Sequence, residues 1–438
     1  MIESFKIRNF RSILDLNVEF TYGEGTAPRH FHESDNWAFL QTSNAKNDRF
    51  VPVLAIYGAN ASGKSNIVNA FQIFQRVVSN GIAGCFFPDK LNEKYDYAAF
   101  ESVVSIDGVR YVYEISYDTT RIRSEKLSQI VRGPEPRKTI FSIGGDENNF
   151  DGIVTAGYDA DRMENALKIE CKSNEGLLIK PFLTCVAHAF PGLTDAIPKI
   201  VNEFVQRLQV SNRNEFFISQ AVDLLAQFNT PDARKEAMGK IVRLLKKFDF
   251  GVKEMTMERQ RIGKDKQPFA AFGAVPRFSP ASITRDVGDA WEVDEFKLLH
   301  ENASGELTPL NFMTEESDGT KVVAALLGIC LWALETGKTL FVDELDRSLH
   351  PFILISLIKL FKSKRYNKTN AQLIFTVHDP TALDEDMMRI SEIGIVDKTV
   401  KDGTSFRRLC NFKGARNVTN FRRQYLSGAY SGIPFPYI

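Results

Sequence analysis

The chain has 438 residues, enough for two or three ordinary domains or for one large domain carrying an insertion. It is 43% apolar and 25% charged, as in ordinary globular domains. Its 55 lysines and arginines balance 55 acidic residues, so no global charge points to nucleic acid or a membrane surface as partner. The cysteines (Cys85, Cys171, Cys185, Cys330, Cys410) are scattered without a CxxC pair, which argues against a disulfide framework or a zinc site. That usage suits a reducing cytoplasm. Charged residues recur from Glu3 onward, so no signal peptide is expected, and the apolar run Val322 to Leu334 is too short to span a bilayer.

In chain order, Met1 to Phe20 alternates apolar and polar residues and predicts two short strands around Asn9-Phe10-Arg11-Ser12. Thr21 to Phe50 is polar and reads as a surface excursion. Its His30, His32, Glu33 and Asp35 could ligate a metal, but a solvated loop explains them more simply. Val53 to Tyr57 is a buried strand. It breaks at Gly58 into Gly58-Ala59-Asn60-Ala61-Ser62-Gly63-Lys64-Ser65, and an amphipathic helix with Ile67, Val68, Ala70, Phe71 and Phe74 follows. Phe100 to Tyr117 predicts a hairpin on Asp107-Gly108, with further strands at Arg121 to Val131 and Lys138 to Ile143. From about Asp159 to Phe250 the period turns helical, with stripes at Ile200 to Leu208, Val222 to Phe228 and Ile241 to Phe248. Val252 to Leu310 is mixed, with strand-like pieces at Val252 to Met257 and Phe296 to His300. The remainder predicts a helix over Thr320 to Thr336 and a strand at Thr339 to Val342. A helix over Pro351 to Lys364, a strand at Leu373 to Val377, a helix from Pro380 and a last strand at Ile393 to Val396 complete it.

The segment Gly58 to Ser65 fits the pattern G-x-x-x-x-G-K-[ST] in a strand–turn–helix context. Glycines let successive backbone N–H groups turn inward on anionic oxygens, and the helix N-terminus behind them adds partial positive charge. Lys64 can reach the β- and γ-phosphates, and Ser65 can complete a Mg²⁺ shell. Leu340-Phe341-Val342-Asp343-Glu344 is a buried strand ending in two carboxylates: Asp343 suits the metal and Glu344 the attacking water. The strand Leu373 to Val377 ends at His378, placed for a γ-phosphate contact although strand-end histidines are commonly structural. Glu316-Ser317-Asp318-Gly319-Thr320-Lys321 opens the apolar helix, either as a second anion site or as a plain helix cap.

Order and spacing of these parts resemble an ABC-class ATPase of the branch that includes SMC, RecF and overcoming-lysogenisation-defect proteins. The residues that carry the resemblance are the IRNFRS strand, GANASGKSN, SDGTK, LFVDELDRSLHP and TVHDP. The resemblance covers roughly residues 1–143 and 296–438. It implies an α/β P-loop fold with an ABC-type head, a mixed sheet plus an N-terminal antiparallel lobe, and a helical insertion. The expected division is 1–150 for the half with the phosphate loop, 151–255 for the insertion and 256–438 for the half with signature, carboxylates and histidine. It further implies that Asn60 and Asn66 are typical of the branch. Ser317 and Gly319 would belong to a signature acting across a dimer, Asp346 to the D-loop and His378 to the H-loop. Glu101 and Gln129 are Q-loop candidates. SDGTK departs from the LSGGQ of transporters. YLSGAYSGIP, ESDGTK and DELDRSLHP resemble stand-alone ATPases of bacterial abortive-infection and anti-phage modules.

The expected function is therefore an ATP-binding and ATP-hydrolysing switch using Mg²⁺, working as a homodimer or higher oligomer beside a separate effector, a nuclease or toxin. A RecF-like DNA-repair ATPase is the alternative, so nucleic acid stays a possible partner; no membrane partner is expected. A transporter subunit fits poorly with the signature, and a GTPase with Asn367-Lys368-Thr369-Asn370, which lacks the aspartate of a base-recognition motif. About sixty residues follow His378, too few for a further α/β nuclease domain.

Overall fold

The computed structural model describes residues 1–22, 40–41, 49–91, 94–131, 136–144, 151–155, 161, 165, 177–189, 195–212, 231–263, 284–347, 349–383, 387–415 and 420–433. Strands β1 (Ile2–Phe10) and β2 (Ile13–Glu19) pair antiparallel across the expected turn, where Arg11 takes φ 51°. A two-stranded ribbon, β3 (Leu40–Gln41) with β4 (Arg49–Phe50), leads to β5 (Val53–Gly58) and helix α1 (Lys64–Asn80). The next strands are β6 (Ala98–Ile106), β7 (Val109–Tyr117), β8 (Ile122–Ile130), β9 (Arg137–Gly144) and β10 (Asp151–Thr155). With β1 and β2 they form a seven-stranded antiparallel sheet of order β10-β9-β8-β7-β6-β1-β2. Asp107 and Gly108, at φ 49° and 80°, make the β6–β7 turn. Two-residue hairpins favour positive φ at both central residues, because that twist matches the strands.

Helices α2 (Phe182–Ala189) and α3 (Ala196–Asn202) follow, the latter continuing as a π-helical turn, Glu203–Arg207. Then come β11 (Leu208–Asn212) and α4 (Pro231–Lys247). Strands β12 (Val252–Gly263), β13 (Thr284–Asp286), β14 (Ala290–Glu301) and β15 (Leu307–Asn311) form a separate antiparallel sheet. The chain ends with α5 (Asp318–Thr336), β16 (Thr339–Asp343), α6 (Pro351–Lys362), β17 (Gln372–Thr376), β18 (Ile393–Thr399), β19 (Gly403–Arg408) and α7 (Phe421–Leu426).

The central sheet has the order β11-β16-β17-β5-β18-β19, parallel except for β19. Every residue of β5 is buried, because both faces of this sheet are covered. Val53, Ala55 and Tyr57 face one core, with α4, α5 and α6. Leu54 and Ile56 face the other, with α1 and the antiparallel sheet. Phe71 of α1 joins the layers: its ring centroid lies 4.1 Å from Phe5 of β1 and 4.2 Å from Phe341 of β16. Helix α5 is the one described helix long and apolar enough to cross a membrane; here it is a core helix, with twelve of its residues buried.

Several expectations need correction. Ile393 to Val396 is not the last strand: β18 runs on and turns back into β19, a hairpin that Asp402-Gly403 signals. In place of the helix expected from Pro380, residues 380–383 form only a 3₁₀ turn, Pro380–Ala382. Between the two halves, the chain also contributes β11 to the central sheet. The Val222 to Phe228 stripe and the His30 to Asp35 cluster lie outside the described residues.

Candidate functional site

The parallel strands β5, β16 and β17 deliver Gly58, Asp343 and Thr376 to the same edge of the sheet, their C-terminal ends, with β17 between the other two. A cavity of about 520 Å³ opens there. Of the predicted residues, Asn60, Ala61, Gly63, Lys64, Ser65, Asn66, Glu344 and His378 line it. Gly58, Ala59 and Ser62 complete the loop behind them.

The loop is held tightly. Gly63 has φ 106°, and a Cβ there would run into the Thr404 hydroxyl. A Cβ on Gly58 would meet the Val396 carbonyl. Lys64 is buried and donates its Nζ to the Gly58 carbonyl at 2.7 Å and the Ala59 carbonyl at 3.0 Å. Burial pushes the Lys64 ammonium below its usual range, while the Asp343, Asp346 and Glu344 carboxylates pull it back up. The buried Ser62 hydroxyl has no hydrogen-bond partner among the described residues.

A relay fixes the loop from outside. Asn66 Nδ2 donates to Ser12 Oγ at 2.8 Å, Ser12 and Thr404 hydroxyls lie 2.7 Å apart, and Thr404 Oγ1 donates to the Ser62 carbonyl at 3.0 Å. Arg11 adds a 3.3 Å bond to Asn66 Oδ1. The Asn66 side chain thus lines the cavity while its amide is engaged with Ser12 and Arg11.

The carboxylates are organised by Thr376. Its hydroxyl donates to Asp343 Oδ1 at 2.6 Å and accepts the Glu344 backbone N–H at 2.7 Å. Glu344 sits at φ 51°, a conformation that costs a non-glycine residue energy and re-aims the chain at the strand end. Arg347 approaches its carboxylate at 3.4 Å. Asp346 Oδ2 accepts the backbone N–H groups of His378 and Asp379, so the carboxylate turn carries the His378 segment.

Ser317 and Gly319 are exposed at the opening of α5 and do not line the cavity of their own chain. Ser317 Oγ accepts the Thr320 N–H at 3.1 Å, a helix cap. The preceding Glu316 is buried and bonds His300 at 2.6 Å. Glu101 and Gln129 lie on β6 and β8, and neither lines the cavity.

Sequence reading missed Ser12 and Lys398 as cavity-lining residues. Ser12 stood inside the quoted NFRS turn. Thr404 and Lys398 come from the β18–β19 hairpin, more than three hundred residues from the loop, and no local pattern points to them.

Strand, glycine-bearing loop, Lys-Ser helix opening and carboxylate pair, on a parallel sheet backed by an antiparallel lobe, define a P-loop NTPase with an ABC-type head. Residues 53–384 match the family described as "AAA domain, putative AbiEii toxin, Type IV TA system", and the chain belongs to that family. No curated protein sequence matches it. Among solved structures it is similar to an SMC head bound to the C-winged helix domain of ScpA, at 13% identity and TM-score 0.47, covering 95% of this chain and 99% of that one. It is also similar to an SMC head domain from Thermotoga maritima (11%, TM-score 0.39, covering 93% and 98%). A third is an SMC head with coiled coil and joint from Pyrococcus yayanosii (12%, TM-score 0.43, covering 98% and 99%).

Proposed function

We propose that the chain is a Mg²⁺-dependent ATP-hydrolysing switch that closes as a dimer on its nucleotides and controls a separate effector in bacterial anti-phage defence. The observation that carries the nucleotide part of this reading is the meeting of Lys64, Glu344 and His378 in one cavity at the edge of the parallel sheet; the family description supports the defence part. The cavity suits a triphosphate: it brings the loop backbone, the Lys64 ammonium and Ser65 to one wall, and the buried Ser62 hydroxyl of that loop has no hydrogen-bond partner among the described residues. Loop N–H groups not already used within the chain, together with the Lys64 ammonium, would hold the phosphates; the Ser62 N–H donates to the Ala59 carbonyl instead. Ser65 and Asp343 offer hard oxygen donors for Mg²⁺, which when bound neutralises phosphate charge. Glu344 orients the attacking water, His378 contacts the γ-phosphate, and Ser317 with Gly319 reach the nucleotide of the partner protomer.

Glu344→Gln is expected to keep Mg-ATP binding and slow hydrolysis by about 10²–10⁴, the usual cost of a lost general base. It should also accumulate as an ATP-bound dimer. Lys64→Ala should lose nucleotide binding by calorimetry; unchanged affinity would overturn the site. For the output, the chain is expressed alone and with its genomic neighbours. Growth arrest or phage resistance that needs the neighbour supports a separate effector. The family description names a toxin, which favours a second reading in which this chain is itself the toxic arm. Growth arrest by the chain alone would select it.

A further inference from the structure

At the opposite edge of the central sheet lies a second cavity, of about 620 Å³. It is built where α4 crosses the C-terminal end of α5 and the turn between α6 and β17. Lys240, Arg243 and Lys247 come from one face of α4, at the i, i+3, i+7 spacing that aligns side chains along a helix. Arg365 and Lys368 come from the turn before β17. Within the lining one carboxylate, Glu335, faces these five cations; Lys240 takes it at 2.6 Å and also pairs with Glu236, one turn earlier on α4, at 2.9 Å. Among the described residues no carboxylate forms an ion pair with Arg243, Lys247, Arg365 or Lys368. The floor is different in character: Leu244, Leu331 and Leu334 are buried apolar side chains, and Tyr366 stands half-buried beside them.

Four like charges gathered around a concavity repel one another, and that repulsion is relieved by an anion. A surface lysine cluster on a helix usually faces open solvent. Here the cations rim a hollow of the size that ordinary small-molecule sites have, with an apolar floor and polar groups at the mouth. Inorganic phosphate would use the rim and leave the floor idle, whereas a nucleoside phosphate uses both. We propose that this cavity binds a nucleoside phosphate, with the phosphates on Arg243, Lys247, Arg365 and Lys368 and the base against Leu244, Leu331, Leu334 and Tyr366. The site shares no residue with the Lys64 cavity, so it stands or falls separately from the proposed function. It does share helix α5, whose other end carries Ser317.

The test is calorimetry on the full chain with three probes: ADP, inorganic pyrophosphate and a short 5′-phosphorylated DNA strand. Lys64→Ala is used to remove the first nucleotide site. In that background ADP is expected to bind with one site, about tenfold or more tighter than pyrophosphate, because only ADP fills the apolar floor. Adding Lys247→Glu and Lys368→Glu, both exposed positions that leave the fold intact, should weaken binding at least about tenfold. Circular dichroism and melting temperature establish that the variant is folded. Tighter binding of the strand than of ADP assigns the phosphate to a nucleic-acid 5′ end; the reverse assigns a free nucleotide. Failure of Lys64→Ala to remove one ADP site counts against the proposed nucleotide site alone. No ADP or strand binding in the Lys64→Ala chain, or binding that survives the double charge reversal, overturns the second cavity.

Discussion

Asp346 holds His378 through its backbone: Asp346 Oδ2 accepts the His378 N–H at 2.9 Å and the adjoining Asp379 N–H at 2.8 Å. The turn after the carboxylate pair and the loop after β17 are therefore tied to each other. A hydrolytic site needs such coupling, because a displacement of about 1 Å in a positioned group costs roughly a hundredfold in rate. Asp346→Ala removes the acceptor from two N–H groups that water can partly reach, each such bond being worth about 0.5–1.5 kcal/mol. The expected outcome is a lower melting temperature and hydrolysis slowed at least about tenfold, with Mg-ATP affinity changed far less. Single-turnover hydrolysis alongside calorimetry checks it; equal loss of binding and hydrolysis would reduce Asp346 to a folding role.

Thr376 makes a second prediction. Its one hydroxyl serves the Asp343 carboxylate and the Glu344 backbone together, and it is buried. Thr376→Val keeps the shape and removes both bonds. Loss of such supporting bonds to metal-holding groups typically costs about 10–100-fold in metal affinity or activity. The apparent Mg²⁺ requirement for ATP hydrolysis should rise accordingly, while Thr376→Ser stays near the parent. A Mg²⁺ titration of activity that is identical for valine and threonine would sink the idea.

Glu125 predicts a pH effect away from the site. It is fully buried on β8 and accepts the Phe182 and Leu183 N–H groups at 2.6 and 2.8 Å and the Tyr113 hydroxyl at 3.0 Å, so it pins the start of α2 to the antiparallel sheet. Burial pushes its carboxyl up from 4.5 to about 7, against the pull of those three donors. The folded pKa is the higher one, so the folded chain binds the extra proton between these values. The contribution to stability is present in full below about 4.5 and is lost as pH rises through about 7. Glu125→Gln cannot titrate. Its melting temperature should therefore gain on the parent as pH rises from about 4.5 to 8. A difference that stays flat across that range would contradict the assignment.

What the sequence made legible follows from how local each signal is. The phosphate loop and its helix could be read because strand, glycines and lysine lie within fifteen residues, and the hairpin at Asp107-Gly108 because two turn residues fix it. The buried α5 and the strands β16 and β17 announced themselves as apolar runs. Strand β11 did not: LQVSN is short, follows a helical stripe without a turn signal, and becomes a strand only because the parallel edge of β16 accepts it. The site was half legible for the same reason. Lys64, Asp343, Glu344 and His378 sit at the ends of apolar strands or open a helix. Thr376 and Thr404 act through single hydroxyls whose partners are brought close only by folding.

The last prediction separates two roles for Ser317. Within its own chain it is a helix cap, accepting the Thr320 N–H, and it is exposed and does not line the Lys64 cavity. A residue that only caps should tolerate aspartate, which caps helices as well as serine does, whereas loss of a cap costs about 1 kcal/mol. A residue that meets the partner protomer's γ-phosphate should not tolerate it, because two anions would be pressed together. Ser317→Asp is therefore expected to melt near the parent temperature and to bind Mg-ATP normally, yet to fail to dimerise with ATP in the Glu344→Gln background. Ser317→Arg should block the same dimer by bulk. Light scattering with and without Mg-ATP reads the outcome. An ATP-dependent dimer of Ser317→Asp as tight as the parent's would leave Ser317 a cap and nothing more.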